Sequence, residues 1–294
     1  MTGSTLARRS LGRRLRKLRD AAKLSQSAAA RAVELSPQSI GRLEDGQATR
    51  VSGLHINALC NLYGVSDEER RLLLELGQEA REATKSGGKW WRAYADLSPD
   101  GFDHYVSLEE AASKLTSFQN AMVPGLLQTA DYRRAGEWTI HPQDSSSDVE
   151  RRVEMAIRRQ ERLQDNEFEV NMFMLEAALH HPVGGAAVMD RQMLHLDRLS
   201  HLPNVSIRII PRDRGSHLGL HLGSFVLLEF ERIPATGLAE PPVVYVEGFT
   251  GDLYLERDTE VNPYMNAIRE LGRVALDEDR SRTLMGQIAR EYRA

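Results

Sequence analysis

Nine histidines, a Gly-Ser-Phe serine and one cysteine are the side chains whose types and spacing invite a search for catalysis or metal binding. His217 and His221 have the spacing that puts two imidazoles on one helix face for zinc. They lack the glutamate of a His-Glu-x-x-His motif, and Gly215, Gly219 and Gly223 argue for a turn instead of a helix. His180-His181-Pro182 reads as a helix C-terminus, where an imidazole suits the helix dipole. Ser224 lies in Gly-Ser-Phe, not in the Gly-x-Ser-x-Gly of a nucleophile elbow. Cys60, within an apolar helical stretch, reads as a core thiol. Neither a glycine-rich phosphate loop nor a Gly-x-Gly-x-x-Gly run occurs, so no enzyme, metal or cofactor is expected.

A different chemistry collects at the N-terminus. Residues 1–64 hold eleven basic groups against four acidic ones, a net +7 within a 294-residue chain of net charge −4. The rest of the chain is therefore strongly acidic. A small basic module on an acidic body is the electrostatic footprint of a nucleic-acid binder. The 41% hydrophobic and 27% charged content excludes wholesale disorder. No apolar run reaches the roughly 18–20 residues a membrane helix needs. The basic N-terminus is not followed by the apolar core of a secretory signal. One cysteine excludes an internal disulfide and fits a reducing cytoplasm. Only five of the 38 basic residues are lysine, which with abundant alanine and glycine hints at a GC-rich bacterial genome.

The elements that must position these charges are short helices. Leu11, Leu15, Leu18 and Ala22 predict an amphipathic helix over 10–22 with a basic outer face. Ser25 caps a second, ending near Val33, and Ser36-Pro37 opens a third that ends near Gly46. Residues 53–63 form a fourth, stopped at Gly64, and the Ser66–Glu69 capping box opens a fifth. This predicts an all-α five-helix domain over residues 1–83, with a linker at 84–89 where Ser86-Gly-Gly88 falls. Residues 90–294 predict a larger α/β (α+β) domain. Its helices are expected at 106–117, 129–137, 148–164 (capped by Asp148), 186–201, 260–276 and 279–292. Its strands are expected at 167–174, 205–210, 224–230, 243–247 and 252–256. Short turns between the later strands make the sheet partly antiparallel. A polar loop is expected at 139–147.

Gln26 at the start of helix 2, a tight turn, and Ser36-Pro-Gln-Ser-Ile-Gly-Arg-Leu-Glu-Asp-Gly46 together resemble the phage-repressor (Xre-like) helix-turn-helix family. The resemblance implies a recognition helix that enters a major groove about 12 Å wide while its predecessor spans the backbone. Ala29, Ala30, Val33, Ile40 and Leu43 would face inward, leaving Pro37, Gln38, Ser39 and Arg42, with the capping Ser36, for DNA. Gln38 suits adenine and Arg42 guanine; Pro37 suits apolar contact. By the same resemblance Gln26, Thr49 and Arg50 meet phosphate, and Arg19 and Glu44 form an interhelical ion pair. Glu34 stands where the family's turn usually has a left-handed glycine, at a cost of about 1 kcal/mol. Gly41 inside the recognition helix costs a similar amount, about 1 kcal/mol.

Trp90-Trp91, Val123-Pro-Gly-Leu-Leu-Gln-Thr129, Arg159-Gln160, Leu175-Glu-Ala-Ala178, Val183-Gly-Gly185, Gln192, Ile210-Pro211 and Gly223-Ser-Phe225 resemble, in that order, actinobacterial regulators of the WhiJ-like type. That resemblance implies a cytoplasmic transcriptional regulator, a repressor more than an activator. It would act as a homodimer on double-stranded operator DNA, with a small BldB-like partner protein. An antitoxin-like protein that sequesters such a partner and autoregulates its own operon is the alternative. Trp90, Trp91 and Tyr94, with Phe102 and Tyr105, form an aromatic cluster that reads as a packing seam or as a ligand or partner site.

Overall fold

Leucines and alanines at helical spacing build five helices in the N-terminal part of the computed structural model, which describes residues 3–47, 49, 51–85, 90–94, 96–97, 102–233 and 236–293. They are α1 (Gly3–Ala21), α2 (Gln26–Ala32), α3 (Pro37–Glu44), α4 (Gly53–Tyr63) and α5 (Asp67–Lys85). Helix α1 starts well before the predicted residue 10, because Leu6 and Ala7 continue the Leu11–Leu15 stripe and are buried. The other boundaries follow local signals. Ser25, Ser36, Ser52 and Ser66 each accept a hydrogen bond from a first-turn backbone N–H. Gly64, at φ +66°, ends α4 in the left-handed conformation that glycine adopts without steric cost.

The chain divides into two units that do not follow its linear order. The first comprises Met1–Trp90, Val106–Ala112 and Phe230–Pro241; the second comprises Trp91–Tyr105, Ser113–Glu229 and Pro242–Ala294. In the first, Leu11, Leu15, Ala30, Ile40, Leu43, Ile56, Leu59, Cys60, Leu73 and Leu76 form one core. Two later segments join it: Ala111 and Ile233 are buried in the cluster, and Phe230 and Leu238 pack against it. The linker residues 86–89 lie outside the described residues.

The second unit is built on a six-stranded mixed sheet of order β3-β2-β1-β4-β5-β6. Its strands are β1 (Lys114–Gln119), β2 (Glu169–Leu175), β3 (Val205–Ile210), β4 (Phe225–Glu229), β5 (Val243–Val246) and β6 (Leu253–Leu255). Strands β3, β2 and β1 run parallel; β1, β4, β5 and β6 are antiparallel. Phe118 pairs in register with Phe173 on one side and Phe225 on the other. The row packs with Val261, Tyr264 and Leu271 of α11 (Asp258–Val274), and the Phe225 and Tyr264 rings are 4.8 Å apart.

The sheet overturns one helix assignment. Residues 106–117 are not one helix: α6 (Phe102–Ala111) stops, Ser113 N–H bonds to the Glu229 carbonyl, and the chain continues as β1. Buried on both faces, β1 carries the polar Thr116 and Ser117 between Leu115 and Phe118, so it lacks the apolar–polar alternation that marks a half-buried strand. Helices α7 (Ala130–Ile140), α8 (Ser146–Gln160), the short α9 (Ala177–His180), α10 (Ala186–Leu199) and α12 (Glu278–Arg293) complete the described helices. Ser145, not Asp148, caps α8: its Oγ accepts from the Asp148 N–H at 3.1 Å. The predicted polar loop is correspondingly shorter, since α7 extends to Ile140 and α8 begins at Ser146. The connection from β4 to β5 is also no short turn. Pro234, Gly237 and Pro241 suggest turn punctuation, yet Phe230–Pro241 belongs to the helical unit.

The Pro-Gly-Leu-Leu-Gln-Thr run is held by three glutamine amides. Gln128 Nε2 donates to the Val123 carbonyl at 2.7 Å, and Gln160 Nε2 donates to the Gly125 and Gln128 carbonyls. Gln192, fully buried, accepts from Thr129 N–H and donates to the Leu127 carbonyl, both at 2.7 Å. These bonds satisfy the backbone around a short, largely buried 3-10 turn, Gly125–Leu127. The motif's specificity is thus accounted for by architecture.

Candidate nucleic-acid interface

Helices α2 and α3 meet through Ala29, Ala30, Val33, Ile40 and Leu43, all buried. Between them Glu34 takes φ 56°, and the Leu35 N–H reaches the Ala30 carbonyl at 2.9 Å. The left-handed turn is therefore made without glycine, at a cost of about 1 kcal/mol that the helix packing must offset. Ser36 Oγ accepts from the Ser39 N–H at 3.0 Å and lies 2.8 Å from the Ser39 hydroxyl. Pro37 occupies the first turn, where its missing donor costs nothing. With Ile40 and Leu43 turned inward, Ser36, Pro37, Gln38 and Arg42 are exposed and Ser39 is half-buried. Arg42 makes no ion pair among the described residues.

The far end of α3 is fixed by a buried carboxylate. Glu44 is 2% exposed and accepts from Arg19 Nε at 2.6 Å, Arg19 Nη2 at 2.9 Å and Gln26 Nε2 at 2.9 Å. Arg16 Nε approaches it at 3.5 Å. Burial is the largest single influence on Glu44 and opposes its ionisation. The hydrogen bonds from Arg19 and Gln26, with the charges of Arg19 and Arg16, outweigh it and hold the carboxyl below its ordinary range. Arg19 thus joins α1 to α3 through both carboxylate oxygens, while Gln26 joins α2 to α3 through Oε2 alone. Gln26, expected at phosphate, has one amide N–H committed inward. Thr49 is half-buried just past the helix, and Arg50 lies outside the described residues.

Two glycines that composition alone did not single out set the spacing. A Cβ on Gly12 of α1 would stand 2.3 Å from the Leu43 carbonyl oxygen, and one on Gly46 would stand 2.8 Å from Arg9 Cα. Glycine inside a helix costs about 1 kcal/mol against alanine, which is the sequence signal that Gly12 has a packing purpose.

The basic face of α1 is less free than its composition suggests. Arg13 pairs bidentately with Glu240 at 2.8 and 2.9 Å, Arg14 with Glu69 at 3.0 Å, and Arg16 with Asp45. Counted over the whole unit, 17 Lys and Arg face 14 Asp and Glu, so the net excess falls to +3. Lys17, Lys23, Arg31 and Arg42 are the exposed cations without an ion pair among the described residues of this unit's first three helices and their turns.

The other sequence candidates are placed as follows. Trp90 Nε1 donates to Glu110 Oε1 at 3.0 Å within the first unit, while Trp91 and Tyr94 are buried in the second. His217 and His221 flank a 3-10 turn, Leu218–Leu220, and do not share a helix face. His180 Nε2 lies 3.2 Å from Glu176 Oε1, and Ser224 Oγ donates to Asn120 Oδ1 at 2.8 Å. Cys60 is buried, and that burial pushes its thiol above the usual range. Among the described residues, no three or more His, Cys, Asp or Glu are grouped to hold a metal ion, and no helix is long and apolar enough to cross a membrane.

Comparison with known proteins divides the chain in linear order instead. Residues 10–73 match a helix-turn-helix domain family, which supports an Xre-like reading of α1–α5 and points to a DNA-binding regulator. Residues 102–287 match the family described as a domain of unknown function, DUF5753. No curated protein and no solved structure matches the chain. Because the second match spans well over half of the 294 residues, the chain belongs to the DUF5753 family, here with a helix-turn-helix domain ahead of it.

Proposed function

We propose that this protein is a non-enzymatic, sequence-specific transcriptional regulator that reads operator DNA with α3. The observation that carries this reading is the pairing of an exposed Pro37, Gln38 and Arg42 face with a buried Ile40 and Leu43 face on one short, doubly anchored helix. Gln38 offers the donor–acceptor pair that matches adenine, and Arg42 the fork that matches guanine. Exposed Arg31, Lys17 and Lys23 supply positive charge on the same unit.

One such helix presents too few base-reading positions to single out an operator in a bacterial genome. A homodimer on a pseudo-palindrome reads twice the sequence, with half-sites about 34–36 Å apart or a multiple of it. Bound over a promoter in the cytoplasm, it blocks RNA polymerase and represses. A genome-wide binding map of the tagged protein tests this. Discrete peaks sharing a two-fold symmetric motif are expected; an even distribution without a shared motif contradicts it.

A further inference from the structure

The connection between β4 and β5 does more than join two strands. Glu229 closes β4 and Val243 opens β5, yet Phe230–Pro241 between them belongs to the helical unit. Ile233 is fully buried in that unit's core. The Glu240 side chain is fully buried as well and takes the Arg13 guanidinium at 2.8 and 2.9 Å. Arg9 Nε stands 4.0 Å from the same carboxylate, its guanidinium lies 4.8 Å from the Phe230 ring centre, and its Nη2 donates to the Pro241 carbonyl at 3.4 Å.

Arg9 in turn backs the end of the recognition helix. Gly46, which follows α3 at φ +67°, lies so close that an added Cβ would be 2.8 Å from Arg9 Cα and Cγ. A continuous set of contacts therefore runs from Glu240 through Arg9 to Gly46.

We propose that Phe230–Pro241 is a strap that holds α3 in its reading position, with Glu240 as its positioning residue. The proposal rests on the DNA-reading role of α3. The strap is a conformational device, and its buried carboxylate is its most sensitive point: removing one partner of a buried pair leaves the other uncompensated.

Native-state hydrogen exchange on the full chain tests it. In wild-type protein, amides of α1 and of residues 236–240 are expected to open together, with the same dependence on denaturant. Glu240→Gln, close in shape but uncharged, is expected to raise exchange in α1 and residues 37–47 at least about tenfold while leaving β1–β3 unchanged. Its affinity for a duplex selected by the wild-type protein should fall about tenfold. Separate opening of strap and α1 in the wild type would overturn the proposal even if the variant failed to fold. Unchanged exchange in α1 and α3, or raised exchange with undiminished affinity, would overturn it too. Should the wild type select no duplex, the DNA reading falls, and the exchange data judge the strap separately.

Discussion

Gly12 and Leu43 are in contact through atoms that no larger residue would allow: a methyl on Gly12 would lie 2.3 Å from the Leu43 carbonyl oxygen and 2.8 Å from that of Glu44. The obstacle is backbone, so neither oxygen can swing aside as a side chain would. Gly12→Ala gains about 1 kcal/mol of helix propensity. The forced separation of α1 from α3 costs about 1–3 kcal/mol and displaces the recognition helix as well. A lower melting temperature and a loss of DNA affinity larger than the stability change are expected from calorimetry and anisotropy titration.

Glu44 makes the fold sensitive to acid. Its carboxyl titrates below the ordinary glutamate range in the folded state, so its contribution is complete above about pH 4.5 and lost as pH falls through the lower folded value. Glu44→Gln should cost about 2–4 kcal/mol at neutral pH, since Arg19 loses its bidentate partner. Denaturant melts at several pH values should show a shallower decline below pH 4.5 in the variant than in the wild type.

Gly41 separates stability from recognition. A Cβ there would rest 3.6 Å from Gln26 Oε1, an ordinary contact. Gly41→Ala should therefore stabilise the unit by about 0.5–1 kcal/mol. If the bare backbone at Gly41 approaches DNA, affinity falls despite that gain; equal or better affinity shows that Gly41 only tunes helix stability.

Ile233, far along the chain from the helices it supports, is fully buried in their core. Ile233→Ala should destabilise the helical unit by about 2–5 kcal/mol. Cys60, buried in the same cluster with its thiol raised by burial, reports this directly. Thiol labelling should be slow in the wild type and accelerate in the variant, and unchanged labelling would remove Ile233 from the core of that unit.

The helices around the candidate interface were legible because their signals are local. Serine caps at 25, 36 and 66, Pro37 at an N-terminus and Gly64 at a C-terminus each act within a few residues. The Arg19–Glu44 contact followed from family resemblance, and the helix geometry brings the two together. What escaped was non-local. Lys114–Gln119 becomes the central strand through pairing with residues 169–174 on one side and 225–229 on the other, which no nearby residue announces. Glu240 reads as an acid in a proline-rich turn until the fold brings Arg13 to it across most of the chain. The same pairing explains why the sequence overstates the free positive charge of α1.

Base reading by α3 is the central claim, and selection of duplexes from a random pool by the full-length protein tests it most directly. The wild type should enrich a two-fold symmetric sequence. Arg42→Ala should relax the preference at one base pair of each half-site and Gln38→Ala at a neighbouring one, each by roughly 1–3 kcal/mol, with little change in non-specific affinity. Both variants retaining the wild-type preferences at every position would contradict the account.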